Sequence, residues 1–421
     1  MNSFSLSSCS SFEKKTGFRF EHIPTEIIED ILARLPAETV LDCKLVCKKW
    51  LSVIRDCCFP EKHLHYQLLQ FHYFHNHKYY PSYKKNKVTT KIGFIVGVDG
   101  TPDDDEYTMV YKEFDDRVIT TYRINHHVLC VPGDEWVGSC NGLICIAKYI
   151  FNKEVLYVFN PITRKCVYLP RLTLYEVATI SHMSRGFGYS ATSKKYKDVR
   201  ILYSKVENSD ECLGLVQVYT LGGGSGWRVK ETIVHSFNSA HSFISDPGAY
   251  VDESLHWLNK ERQVWAFDLS DEKFCLLTTL PFSCDTNNAQ RQQKLVVLGG
   301  WLSVVDIHLN HVDIWSFKKF EEKQKLRSWS KGFSIGWSGL FEVVGLTNKG
   351  ELLCFRINEN ICLYSKYSEP ICELKETPTI KYGMLHVNSF ISIKALEEEN
   401  VQVIGSPERS EGAISEDELD A

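Results

Sequence analysis

Apolar positions recur at three- and four-residue spacing near the start of the chain and at two-residue spacing over most of the rest, and the change falls near residue 60. Ile28, Ile31, Leu32 and Leu35 make one stripe, widened by Ile27, with Glu26, Glu29, Asp30 and Arg34 on the other face. That spacing predicts an amphipathic helix, opened by Ile23-Pro24 and ended by Pro36. Val40, Leu41, Leu45 and Val46, with Thr39 as cap, and then Trp50, Val53 and Ile54 predict two more short helices. The unit from Phe18 to Phe59 is near the lower size limit for independent folding, yet it carries apolar groups around much of each helix. Either the following domain or another protein must cover the surplus.

From about residue 136 a three-part strand phrase repeats. Its middle strand reads Val155 to Phe159, Leu215 to Tyr219, Val264 to Phe267, Val312 to Trp315 and Ile361 to Tyr364. The closing aromatics are spaced by about 60, 48, 48 and 49 residues, near the period of roughly 40 to 50 expected of propeller blades. Each middle strand has an upstream companion, such as Leu143 to Ile146, and a downstream one, such as Cys166 to Leu169, with turn signals between them at Asn141-Gly142, Asn160-Pro161 and Gly222-Gly223-Gly224. Antiparallel strands at this period predict a β-propeller, in which radial closure limits exposed sheet edges. Lys91 to Val98, Thr108 to Arg123 and His386 to Ile393 are strand-like and could add one or two blades to the five phrases, closing the ring with strands from both ends.

The expected fold class is therefore α+β multidomain: a small three-helix unit at residues 18–60, a partly helical linker at 61–90 and an all-β, propeller-like repeat domain at 91–395. Serine-rich residues 1–17 and acidic residues 396–421 are expected to be disordered tails. A composition of 43% hydrophobic, 12% aromatic and 24% charged residues is that of a globular chain. A net charge of -5 argues against general nucleic-acid binding. The apolar runs Trp136 to Ala147 and Leu295 to Val305 are too short for membrane helices, and Met1 to Lys15 lacks the form of a secretory signal. The 15 cysteines, odd in number and without a C-x-x-C pair, are expected to be reduced, buried and small-hydrophobe-like, which points to the cytosol or the nucleus.

Two groups of residues closely resemble known families. Ile23-Pro24-Thr25-Glu26-Ile27-Ile28, then Ile31-Leu32-Ala33-Arg34-Leu35-Pro36, then Val46-Cys47-Lys48-Lys49-Trp50 resemble the F-box motif in order and spacing, with Ile23 where leucine is usual. Gly138-Ser139-Cys140-Asn141-Gly142-Leu143, the Asn-Pro-x-Thr element Phe159 to Lys165, Gly186-Phe187-Gly188-Tyr189, Leu255-His256-Trp257 and Phe267-Asp268-Leu269 resemble the F-box-associated domain of a large plant family. One element departs, since Lys195-Tyr196-Lys197 stands where Asp-Tyr-Lys is frequent. The resemblance implies that the helical unit binds a Skp-type adaptor, and through it a cullin and a RING subunit, while the propeller binds a target protein. It implies adaptor contacts at Ile23, Pro24, Ile27, Ile31, Leu35, Pro36, Val46, Cys47 and Trp50.

Catalytic patterns give a weaker reading. P-loop, H-E-x-x-H and paired-cysteine motifs are missing from the sequence, and Gly222 to Gly226 reads as a surface hairpin. His63, His65, His72, His75 and His77 form the best metal candidate, but no cysteine or carboxylate set completes a site, so no metal or cofactor is expected. The eight tryptophans from Trp136 to Trp337 are expected mainly between blades. The function expected is that of a non-catalytic substrate-recognition subunit of an SCF-type ubiquitin ligase. The alternatives are an F-box scaffold or ligand-binding module outside a ligase, or a propeller enzyme.

Overall fold

Proline opens the first two helices. In the computed structural model Pro24 and Pro36 stand just before α1 (Thr25–Ala33) and α2 (Ala37–Cys43), and their carbonyls accept the first intrahelical bonds, from Ile28 N at 3.2 Å and Val40 N at 3.0 Å. α3 (Lys48–Arg55) follows, capped by the Cys47 thiol, which accepts from Trp50 N at 3.5 Å. The structure describes residues 23–70, 91–99, 107–115, 118–123, 135–150, 153–171, 180–206, 212–237, 247–282, 292–319, 327–336, 341–347, 349–356, 361–365, 370–374, 380–398 and 401–403.

The helical unit has four described helices, where three are expected. α4 (Phe59–Gln70) runs across the expected boundary at residue 60 and packs on α1. Its inner stripe is Phe59, His63 and Gln67, all buried. Two of these three are polar, which is why an apolar stripe does not reveal the helix. They satisfy the end of α1: His63 Nε2 donates to Leu35 O at 3.0 Å and Gln67 Nε2 donates to the same oxygen at 2.8 Å. Burial pushes the His63 pKa down to about 4, so the ring is neutral and its proton sits on Nε2.

Behind the helices stand six antiparallel sheets. Five follow the chain in order, and their second, third and fourth strands coincide with the repeated phrases. In the second blade these are Leu143–Ile150, Lys153–Asn160 and Lys165–Tyr168. The innermost strands, Glu135–Cys140, His182–Ser190, Ala249–Val251, Gln292–Leu298 and Phe341–Leu346, are not part of the phrases. Three of the five carry glycines where blades meet, which dilutes the alternation: a Cβ at Gly188 would meet the Tyr250 ring at 2.5 Å. Ile380–Leu385 supplies the innermost strand of the first blade, whose other strands are Ile92–Asp99, Tyr107–Asp115 and Val118–Arg123. The innermost strands touch in sequence around the ring, and this late strand closes it.

The hydrophobic core is divided among the blade interfaces, one cluster to each of the six. Trp136, Trp227, Trp257, Trp265, Trp315 and Trp329 lie in them, as expected; Trp301 is half-buried and Trp337 lies outside the described residues. Between the second and third blades, fully buried Arg185 pairs with Glu135 at 3.3 Å and with Glu154, and burial raises the Glu135 pKa to about 7.

Two expectations fail near the chain end. Residues 386–392 are not a strand; their buried polar groups bond to side chains and turns instead of to a ladder. The acidic segment from residue 396 is ordered through its first residues: Ile393–Leu396 forms a 3-10 turn, and Val401–Val403 pairs with 165–167 as a fifth strand of the second blade. Glu398 accepts from Gly222 N at 2.7 Å, and Glu397 pairs with Lys195 at 3.1 Å, at the position where this chain departs from the usual Asp-Tyr-Lys. Residues 1–17 and the remainder of the acidic segment lie outside the described residues. Among the described cysteines Cys43, Cys140, Cys145, Cys166, Cys354 and Cys362 are buried as expected, while Cys47, Cys57, Cys58 and Cys275 are exposed.

Candidate partner-binding surface

α1 divides its apolar residues between two faces. Ile28, Leu32 and Ala33 are buried, whereas Ile27 and Ile31, one turn apart, remain 51% and 47% exposed. A second apolar group lies in the turn between α2 and α3, where Leu45 is 84% and Val46 51% exposed. Periodicity places Leu45 and Val46 on a helical stripe, but α2 ends at Cys43 and leaves both in the turn. Lys49 Nζ donates to Ile23 O at 2.6 Å, which holds the start of α3 beside the start of α1. Ile27, Ile31, Leu45 and Val46 are the large exposed apolar side chains of this unit among the described residues. Burying such a group is worth roughly 1.5–3 kcal/mol when a partner covers it.

The nine residues expected at the adaptor contact separate into two sets. Pro24, Ile27, Ile31, Val46 and Cys47 are exposed. Ile23, Leu35 and Trp50 pack against the helical core, and Pro36, half-buried, starts α2. Leu45 is missing from the expected set because its spacing fits a core stripe equally well.

The opposite side of the helical unit is covered by the propeller. Phe390 enters the helical core beside Phe59 and stands edge-on to His63, with ring centroids 5.0 Å apart. Ser139 Oγ and His386 Nδ1 are 2.8 Å apart, His386 Nε2 lies 3.0 Å from Asn388 Oδ1, and Asn388 Nδ2 donates to Glu38 Oε1. Burial holds His386 neutral, with a pKa pushed down to about 4; its Nε2 proton therefore goes to Asn388 and its Nδ1 accepts from Ser139. Burial raises the Glu38 pKa to about 7. Asn160, fully buried, fixes the same segment to the second blade: Nδ2 donates to Ser389 O at 3.1 Å and Ile391 O at 2.8 Å, while Oδ1 accepts from Ile162 N and Thr163 N. The Asn-Pro-x-Thr element is thus a clamp on the inter-unit joint. The surplus apolar surface is shared: the propeller takes one side and leaves Ile27, Ile31, Leu45 and Val46 open.

α4 also lies over the turns between the first and second strands of the blades. A cavity of about 480 Å³ separates them, lined by Leu64 and Leu68 from the helix and by Tyr189, Tyr196 and Tyr250 from the propeller. Of the expected histidine group, His63 serves the α1 end and His65 lines this cavity, while His72, His75 and His77 lie outside the described residues. No described helix is long and apolar enough to cross a membrane.

Comparison with known proteins agrees with this division. Residues 20–62 match the F-box domain model, and residues 105–370 match the model of the F-box associated beta propeller domain. The chain is 27% identical over 335 residues to F-box protein CPR1 of Arabidopsis thaliana, covering 74% of this chain and 73% of that one. It is 26% identical over 348 residues to F-box protein At3g07870 of the same plant, covering 76% and 74%. Among solved structures, TolB from Acinetobacter baumannii superposes with a TM-score of 0.41 at 8% identity over 70% of this chain and 66% of that one. An N-terminal F-box motif, six closed blades and a match that spans most of the propeller lead to one conclusion: the chain belongs to the F-box proteins that carry an F-box-associated β-propeller domain.

Proposed function

We propose that this protein is the substrate-recognition subunit of an SCF-type cullin ubiquitin ligase, holding a Skp-type adaptor on its helical unit and a target protein on its propeller. The observation that carries the reading is the set Ile27, Ile31, Leu45 and Val46, left exposed on an F-box whose other side is already packed on Phe390. Several large apolar side chains left exposed on one small unit are what an interface requires. The subunit makes and breaks no bonds in this reading. It raises the local concentration of a target lysine near a charged conjugating enzyme, so that transfer becomes effectively intramolecular. Its place of action is the cytosol, the nucleus or both, in keeping with cysteines that form no disulfide among the described residues.

The test is a titration of the full chain with a plant Skp-type adaptor, using Ile31→Asp with Val46→Asp as the variant. Both side chains point outward, so the variant keeps the wild-type melting temperature and loses at least a hundredfold in affinity. Leu35→Asp and Trp50→Ala are poorer probes because both side chains also pack against the helical core. Equal binding by wild type and variant would overturn the assignment of this surface. Recovery of the adaptor without a cullin would favour a scaffold outside a ligase.

A further inference from the structure

On the fifth blade, Trp301–Ile307 and His311–Lys319 pair so that Asp306 and Asp313 are direct cross-strand partners. His308 and His311 close the hairpin just beyond them, joined by a 2.9 Å backbone bond from His308 N to His311 O. The two-residue period of a strand puts Asp306 with His308, and His311 with Asp313, on one face. The imidazoles stack with centroids 4.1 Å apart, and one ligand atom from each of His308, His311 and Asp313 lies within 4.8 Å of the other two.

The surrounding bonds fix which nitrogens bear lone pairs. His308 Nε2 lies 3.1 Å from Asp306 Oδ2, and a carboxylate only accepts, so the Nε2 proton is donated and Nδ1 is the basic atom. Asp306 is itself 1% exposed and held by Gln293 Nε2 at 3.1 Å, the carboxylate support that metal-binding histidines commonly have. His311 Nδ1 lies 3.0 Å from Asn310 Oδ1, which leaves Nε2 basic and 3.9 Å from Asp313 Oδ2. Asp313 accepts Ser334 Oγ at 2.7 Å through its other oxygen. Two carboxylates directly opposite each other in a sheet repel, and both of these are buried. Lys331 Nζ, 2.7 Å from Asp313 Oδ2, offsets one of the charges.

From this arrangement we propose that the hairpin binds a divalent transition-metal ion of the zinc class through His308 Nδ1, His311 Nε2 and Asp313 Oδ2. Imidazole and carboxylate are the ligand types zinc takes, and three protein ligands leave a fourth position open to water or to a partner's side chain. Metal-ligand distances of about 2.0–2.2 Å require the three atoms to draw together by rotation of the side chains, and His311, 40% exposed, has room to turn. The metal competes with the Lys331 ammonium for the Asp313 oxygen. Because strands alternate in direction, this turn faces away from the propeller end on which α4 lies. The site therefore belongs to the face that the helical unit leaves free.

The experiment titrates the reduced, metal-free full chain with Zn²⁺ by calorimetry and with Co²⁺ by absorption. The wild type is compared with His308→Ala/His311→Ala and with Lys331→Gln. The wild type is expected to take up one equivalent more than the histidine variant, with a Co²⁺ spectrum of nitrogen and oxygen coordination, and Lys331→Gln is expected to bind several-fold tighter. Counting by difference removes metal held by exposed thiols, including the Asp56-Cys57-Cys58 group. If the double variant melts early, His311→Gln alone replaces it. Equal stoichiometry and affinity in wild type and histidine variant, or thiolate-only Co²⁺ bands, would overturn the proposal.

Discussion

Asn160 shows how much one side chain carries at this joint. It is fully buried and makes four hydrogen bonds, two that shape its own turn and two that hold residues 389 and 391. Asn160→Ala is expected to lower unfolding stability by about 3 kcal/mol, since each orphaned buried partner costs about 1 kcal/mol or more. Asn160→Asp keeps the two acceptor bonds of the turn but sets a buried carboxylate oxygen against the carbonyls of residues 389 and 391, so urea melts at neutral pH should place it no higher than alanine. Glu38 contributes to the pH response of the same joint. Its native pKa, about 7, lies above the ordinary 4.5, so the native state holds a proton that the unfolded state releases. The stability this contributes is present in full below about pH 4.5 and is lost as pH rises through 7. Glu38→Gln removes that loss. Relative to wild type, the variant should gain on the order of 1–3 kcal/mol in going from pH 5 to pH 8, read from paired thermal melts.

At the scale of elements, the chain end is held by close approach to turns. Gly222 has φ +68° and a Cβ there would lie 1.7 Å from Leu396 O, so both backbone conformation and space exclude a side chain. Gly222→Ala should therefore push the 3-10 turn and the strand Val401–Val403 off the second blade. Earlier proteolysis near residue 397 and a loss of about 2 kcal/mol are the expected readouts. In four of the blades the ladder between third and fourth strands shifts register at one point, as at Val264/Trp265 and Ile314/Trp315. Such bulges bend and twist the outer strand, and the repeated phrase therefore carries shape as well as pattern.

At the scale of the whole molecule, two units are welded by a connector and by Ile162 of the second blade, which packs against the same helical core. Residues 386–391 leave the strand that closes the ring, pass over Asn160 and deliver Phe390 to the helical core. Phe390→Ala is expected to cost about 3–5 kcal/mol at the joint and to split thermal unfolding into two calorimetric transitions, while adaptor affinity stays within a few-fold of wild type. A single transition at the wild-type temperature would show that the units are coupled elsewhere. In the proposed role, a rigid joint here would fix the distance between an adaptor on the helical unit and a target on the propeller.

Sequence alone determined the features that rest on local repetition. Helical stripes identified α1 and the helical nature of the segment up to Ile54, and two-residue alternation with turn signals identified three strands in each of five blades, because buried faces impose their period on the chain. Tertiary structure decided what depends on contact across distance. Four of the six innermost strands are glycine-diluted where blades converge, α4 is held by polar residues that reach a carbonyl 28 and 32 positions away, and blade number follows from a strand contributed near the other end of the chain. The exposed apolar face of the F-box obeys the same rule: Ile28 and Ile31 are alike in the stripe, and only the packing of α3, α4 and Phe390 decides that one is buried and the other exposed. A pattern records that a face is apolar, and the folded neighbours determine what covers it.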